Sequence, residues 1–278
     1  MGQSIIKRVE QLLIFLILLL LSISFLYPVF FMINNSLKSS TAYFKSPFSL
    51  PSGGLAWDNY ATMISQFQIF DLFKNSFLIS VFTIIFLLII GIVASYAFAK
   101  LKFRGSNFIF ILTISTMFIP PQVTMIPLYM LFSKIHIVNT YWAVILSYIG
   151  IFSPEVILLL TATFRGIPDE IIEAAKIDGA GYFNMLRYII VPMGRSGIIL
   201  CIIFYFIVTW NDLFIPMIFL QSMKLRTVMV ALSALASRYR GDPTFQFAGL
   251  VLATIPAVLV YAFFQQYIIK GLSAGALK

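Results

Sequence analysis

Residues 12–33 contain no charged side chain for 22 consecutive positions, and this run decides most of what the chain can become. A helix needs about 20 apolar residues to cross the hydrocarbon core of a bilayer. A signal peptide also begins with basic residues, here Lys7 and Arg8, but its apolar core is shorter and ends at small residues. This run ends in Asn34-Asn35-Ser36, which reads as a retained first span. Five further runs follow at 76–99, 108–128, 141–164, 197–220 and 245–269. Six spans use roughly 120 residues, leaving short loops and small extramembrane elements from the 278 in the chain. The balance of 60% hydrophobic to 10% charged residues agrees, because soluble domains run near 45–50% and 25%. Disorder is excluded on the same ground. The expected fold is all-α: a polytopic integral membrane protein of six transmembrane helices, with residues 1–278 forming a single transmembrane domain.

The chain carries 19 Lys and Arg against 10 Asp and Glu, for a net charge of +9. These cations are scattered through loops between apolar runs, the pattern that orients a membrane protein rather than one that binds nucleic acid. With the N-terminus inside, the inner segments hold eleven basic residues and the outer ones eight. Lys100, Lys102 and Arg104 sit directly at span ends, where the rule is strongest. Both termini are therefore expected in the cytoplasm of a prokaryotic cell. The lone Cys201 allows no disulfide within the chain and no thiolate cluster, and the lone His136 allows no multi-histidine metal site.

Prolines interrupt the later spans: Pro120, Pro121 and Pro127 in the third, Pro216 in the fifth, Pro256 in the sixth. Each removes a backbone donor and kinks its helix. In lipid such breaks persist where neighbouring helices or a water-filled cavity satisfy the freed carbonyls, so the set favours a bundle enclosing a path. Two outer segments are longer than tight turns. Residues 34–74 have a Ser/Pro/Gly-rich middle, and residues 221–244 carry Lys224, Arg226, Arg238 and Arg240.

Residues 165–192 differ from the rest. Pro168 suits a first helical turn, and Asp169, Glu170 and Glu173 complement the positive end of the helix dipole. Ile171, Ala174, Ala175 and Tyr182 recur at near-helical spacing. Asp178-Gly179-Ala180-Gly181 then permits a turn. A second stripe of Tyr182, Phe183, Leu186, Ile189 and Ile190 follows, closed by Pro192. This predicts helix, glycine turn and helix on the cytoplasmic face. Such a segment could rest on the membrane surface, but small Ala174 and Ala175 beside Glu173 better suit insertion into a partner's groove.

Glu173-Ala174-Ala175, then Gly179, Ile189 and Val191-Pro192 match the EAA-x3-G-x9-I-x-L-P pattern, with Val191 for the usual Leu. The chain thereby resembles the permeases of binding-protein-dependent ATP-binding-cassette (ABC) importers. Ile167-Pro168-Asp169-Glu170, Ile177-Asp178-Gly179-Ala180, Trp210-Asn211-Asp212, Asn34-Asn35-Ser36-Leu37-Lys38, Asn75-Ser76 and the tail from Gly271 to Lys278 are similar to the second permease of maltose-type carbohydrate importers. The resemblance implies a homologous second permease, a cytoplasmic ATPase dimer holding ATP and Mg, an extracytoplasmic solute-binding protein and a carbohydrate substrate. It implies that Glu173, Ala174, Ala175, Asp178, Gly179 and Pro192 couple to the ATPase. It also implies that Gly271, Ser273, Ala274 and Gly275 reach its dimer interface, and that the loop with Arg238 and Arg240 meets the binding protein. No cofactor or metal is expected in this chain.

Two other classes compete on composition. An enzyme would need an oriented base, and His136 has no acidic neighbour in sequence. The chain also lacks G-x-x-x-x-G-K-[ST], so it has no P-loop of its own. A secondary transporter or channel would use intramembrane charge, and Glu155 and Asp212 supply it. Glu155, Trp210, Asn211 and Asp212 are the candidate lining of a translocation path. For Asp212 the sequence leaves interhelical hydrogen bonding open beside sugar contact.

Overall fold

The computed structural model describes residues 2–238 and 242–276, with side chains over 10–235 and 242–266. Among the described residues there is no strand. The helices are α1 (Gly2–Ser36), α2 (Ser40–Lys45), α3 (Asp58–Ser65), α4 (Ile69–Lys100), α5 (Ser106–Ser115), α6 (Pro121–Lys134) and α7 (Tyr141–Arg165). After these come α8 (Asp169–Ile177), α9 (Tyr182–Met185), α10 (Val191–Met193), α11 (Arg195–Asn211), α12 (Phe214–Phe219), α13 (Val228–Arg238) and α14 (Pro243–Ala276). Among the described residues α1, α4, α7 and α14 are long and apolar enough to cross a membrane, and the number rises to six if two bent helix pairs each count as one span. The fold is that of an all-α, multi-pass membrane protein.

The expected span 141–164 coincides with α7 to within a residue. The expected span 108–128 does not survive as one helix. α5 runs on through a tight turn at Thr116–Phe118, stops, and α6 leaves at 98°. Pro121 forces this, because the residue before a proline is pushed out of the helical region: Pro120 has ψ 132° and Ile119 ψ 112°. Pro121 itself suits the first turn of α6, where no N–H is needed. The expected span 197–220 is likewise corrected. α11 ends at Asn211, and Asp212 is extended with ψ 129°. The Asp212 carboxylate accepts hydrogen bonds from the Phe214 and Ile215 N–H groups, at 3.0 and 3.1 Å, and so opens α12. The second span starts at Ile69 rather than 76.

The chain divides into two compact units, Met1–Ile69 with Leu232–Thr254, and Phe70–Ala231 with Ile255–Lys278. In the first, the polar turn after α1 organises the segment that follows it. Lys38, 2% exposed, donates to the Ser46 and Pro47 carbonyls, and Asn34 donates to Ser49. Asn59 donates to the Ser36 and Lys38 carbonyls. Burial lowers the Lys38 pKa. These bonds, with α2 and α3, turn what reads as a loop of about 40 residues into a folded element.

In the second unit, α4 and α7 approach closely through small residues. A Cβ on Gly91 would lie 2.4 Å from Val156 Cγ1, and Ser95 donates to the Ile157 carbonyl at 3.0 Å. Small residues one turn apart are a common device for helix packing in lipid. Asn75 donates to the Lys224 and Arg226 carbonyls, and Ser76 accepts from Val228 N–H. Asn139 Oδ1 accepts from Gln221 and Ser222 N–H. The expected outer loop 221–244 is therefore anchored at its start and helical over Val228–Arg238, with Val228 and Val230 buried.

Candidate functional site

The helix–turn–helix of residues 165–192 forms as expected. α8 starts after an extended Pro168 (ψ 136°), with Asp169 and Glu170 in its first turn and Lys176 in its last, each at the end its charge favours. Its C-terminus explains the motif spacing. Gly179 has φ 79°, a left-handed conformation that favours glycine. Its N–H donates to the Lys176 carbonyl at 3.0 Å, and Ala180 N–H donates to the Ala175 carbonyl at 2.9 Å. That pair of bonds is the cap of a helix closed by glycine. It requires the glycine four residues after Ala175.

The faces differ from the expected stripe. Ile172, not Ile171, is the buried residue of α8, and Met185 and Ile190 are the buried ones of the second helix. Ile177, Tyr182 and Phe183 are 86, 66 and 70% exposed. An apolar cluster is thus displayed around the glycine turn. Ala174, Asp178 and Pro192 are exposed as well. Leu186–Ile190 takes a π-helical turn, which shifts the register ahead of Pro192.

Lys100, the last residue of α4, holds the beginning of α8. Its ammonium lies 2.5 Å from the Ile167 carbonyl and 2.6 Å from Asp169 Oδ1. The lysine side chain is 4% exposed and the aspartate 77%. The bond from Lys100 and its charge hold the Asp169 carboxyl below its ordinary pKa, with smaller help from Lys102 and Lys176. It is the one ion pair among the described residues. Sequence reading assigned Lys100 to topology; no pattern links positions so far apart. Beside this contact a cleft of about 1190 Å³ opens, lined by Lys102, Arg104, Arg165, Glu173 and Lys176 among others.

Within the apolar layer, each of two carboxylates is held by a tyrosine. Tyr148 donates to Asp212 Oδ2 at 2.8 Å, and Tyr205 to Glu155 Oε2 at 3.0 Å. The Phe152 ring lies between them, stacked on Tyr148 at 5.6 Å and tilted against Tyr205 at 5.3 Å. Of the four candidate path residues, Glu155 lines a cavity of about 530 Å³ between α6 and α7; Trp210, Asn211 and Asp212 do not. Trp210 is 1% exposed, between Phe73 and Phe206. Asp212 serves the hydrogen bonding that opens α12. Neither tyrosine stood out in the sequence, since sixteen per cent of the chain is aromatic.

Arg240 lies outside the described residues. So do the side chains of Arg238, which ends α13, and of Gly271, Ser273, Ala274 and Gly275, whose backbone continues α14.

Residues 87–274 match the family described as binding-protein-dependent transport system inner membrane component. The arabinooligosaccharides transport system permease protein AraQ of Bacillus subtilis is 30% identical over 266 residues, covering 95% of this chain and 94% of that protein. The probable starch degradation products transport system permease protein AmyC of Thermoanaerobacterium thermosulfurigenes is 29% identical, covering 98% of each. Among solved structures, a chain of a bacterial ABC transporter involved in import of the acidic polysaccharide alginate superposes with a TM-score of 0.66. It covers 94% of this chain and 96% of that one at 16% identity, and the likeness is one of fold.

Proposed function

This chain belongs to the family of binding-protein-dependent transport system inner membrane components, and on that premise we propose that it is one permease of an ABC importer for oligosaccharides. The observation that carries the reading is the glycine turn between α8 and α9, with Ile177, Tyr182 and Phe183 exposed around it. A turn held by two backbone hydrogen bonds presents apolar side chains that this chain leaves uncovered. α8 and the start of α9 insert them into a cleft on a cytoplasmic ATPase subunit, and Lys100 transmits the movement to α4. ATP and Mg stay on that ATPase dimer, and hydrolysis takes place there. The two relatives named for arabinooligosaccharides and starch degradation products support a carbohydrate as cargo.

A homologous second permease completes the path. Both termini face the cytoplasm, which puts Gly271, Ser273, Ala274 and Gly275 on the ATPase side and residues 221–244, with Arg238 and Arg240, toward the solute-binding protein. The test uses the complete complex, co-expressed with its own partners and reconstituted with binding protein. Oligosaccharide uptake should stop when ATP is withheld and continue when ionophores collapse ion gradients. Uptake that follows the ion gradient instead would establish an ion-driven carrier using Glu155 and Asp212.

A further inference from the structure

The cavity between α6 and α7 carries a second reading, which rests on the chain being a saccharide permease. Glu155 is one wall of it, and none of its lining residues is basic. A carboxylate at this depth is costly against lipid and belongs on a water-filled or protein-covered face. Tyr205 is the one donor to this carboxylate among the described residues, and it engages Oε2. Oε1 is left to accept from a ligand. Thr116, Thr124 and Ser147 also line the cavity. Each hydroxyl donates to a carbonyl three or four residues earlier, at 2.7, 2.8 and 2.6 Å. Their oxygens therefore remain acceptors. Phe152 adds a ring to the same wall. The site is a set of hydrogen-bond acceptors beside an aromatic face, and that is the complement of a polyol.

We propose that this cavity is a saccharide subsite in which Glu155 accepts hydrogen bonds from hydroxyl or ammonium groups, admitting neutral and amino sugars and repelling uronic acids. Tyr205 is a positioning residue that fixes the carboxylate. The transporter of similar fold imports an acidic polysaccharide; a carboxylate without a basic neighbour in the cavity assigns this chain the opposite charge preference.

The test places a thiol in the cavity of the assembled importer. In a Cys201→Ala background, Thr124→Cys is labelled with cationic trimethylammonioethyl and anionic sulfonatoethyl methanethiosulfonate, each normalised to a free thiol. A nearby carboxylate should favour the cation by about fivefold or more. Glu155→Gln keeps the side chain's size and should bring the ratio near one. Maltotriose and a glucosamine disaccharide should slow labelling, and digalacturonate should not. A ratio that Glu155→Gln leaves unchanged, labelling by neither reagent, protection by digalacturonate, or no protection by either of the other sugars would overturn the proposal. ATP-driven uptake and co-purification with the ATPase are read on the same preparation, so the wider reading stands or falls separately.

Discussion

Gly179 and Gly181 look alike in the sequence, two glycines in one turn, yet their backbones differ. Gly179 has φ 79°, whereas Gly181 is extended with φ −72° and ψ 165°. A Cβ at either position would meet nothing within 4 Å. Strain, not crowding, therefore separates them. Gly179→Ala should cost about 1 kcal/mol of loop stability through the left-handed penalty, and Gly181→Ala close to none. Sugar transported per ATP hydrolysed should fall for the first variant and hold for the second. Equal behaviour would mean that the cap geometry does not govern coupling. The turn was legible because glycine spacing reports backbone need. Which glycine carries the positive φ was not, since that depends on where α8 frays. Glu155 was legible too, as a charge in an apolar run. Its tyrosine partner lies on another helix, 50 residues away, and no local pattern names it.

At the scale of elements, helices were easier to foresee than their ends. Pro120-Pro121 announces a break, but not the 98° angle at which α6 leaves α5. Likewise, Asp212 was visible as an intramembrane acid, while its use in opening α12 depends on a local hydrogen-bond pattern. The joint between α4 and α8 yields a graded prediction. Lys100→Met removes a buried ammonium and strands the Ile167 carbonyl, a loss of about 1–3 kcal/mol. Asp169→Asn changes an exposed partner, where water screens the attraction, and should matter much less. Thermal unfolding and binding-protein-stimulated ATPase activity should both rank the variants in that order. The Asp169 carboxyl is depressed, so its contribution is present at neutral pH and is lost as pH falls below its ordinary 3.8. Between α4 and α7, Gly91→Leu would drive a side chain into Val156, which stands 2.4 Å from the Cβ position. A cost of about 1–3 kcal/mol is expected from overpacking, seen as a lower unfolding temperature in detergent.

For the whole molecule, the proposed function sets residues 221–244 toward a binding protein and α8 toward an ATPase. Residues 221–244 hold four basic residues against Asp242. An acidic face on the binding protein would therefore speed encounter in a salt-dependent manner. Arg238→Glu with Arg240→Glu should reduce stimulated ATPase activity at low salt and have little effect at high salt; equal stimulation at low salt would remove the electrostatic part. The central claim is that the exposed cluster at the glycine turn docks on the ATPase. A photo-crosslinking residue at Phe183, 70% exposed, tests it in the assembled importer, with Trp57 of the first unit as the second site. Capture of the ATPase subunit from position 183 and not from position 57 is the predicted result. Capture from position 57, or none from position 183 in a complex that still transports, would contradict it.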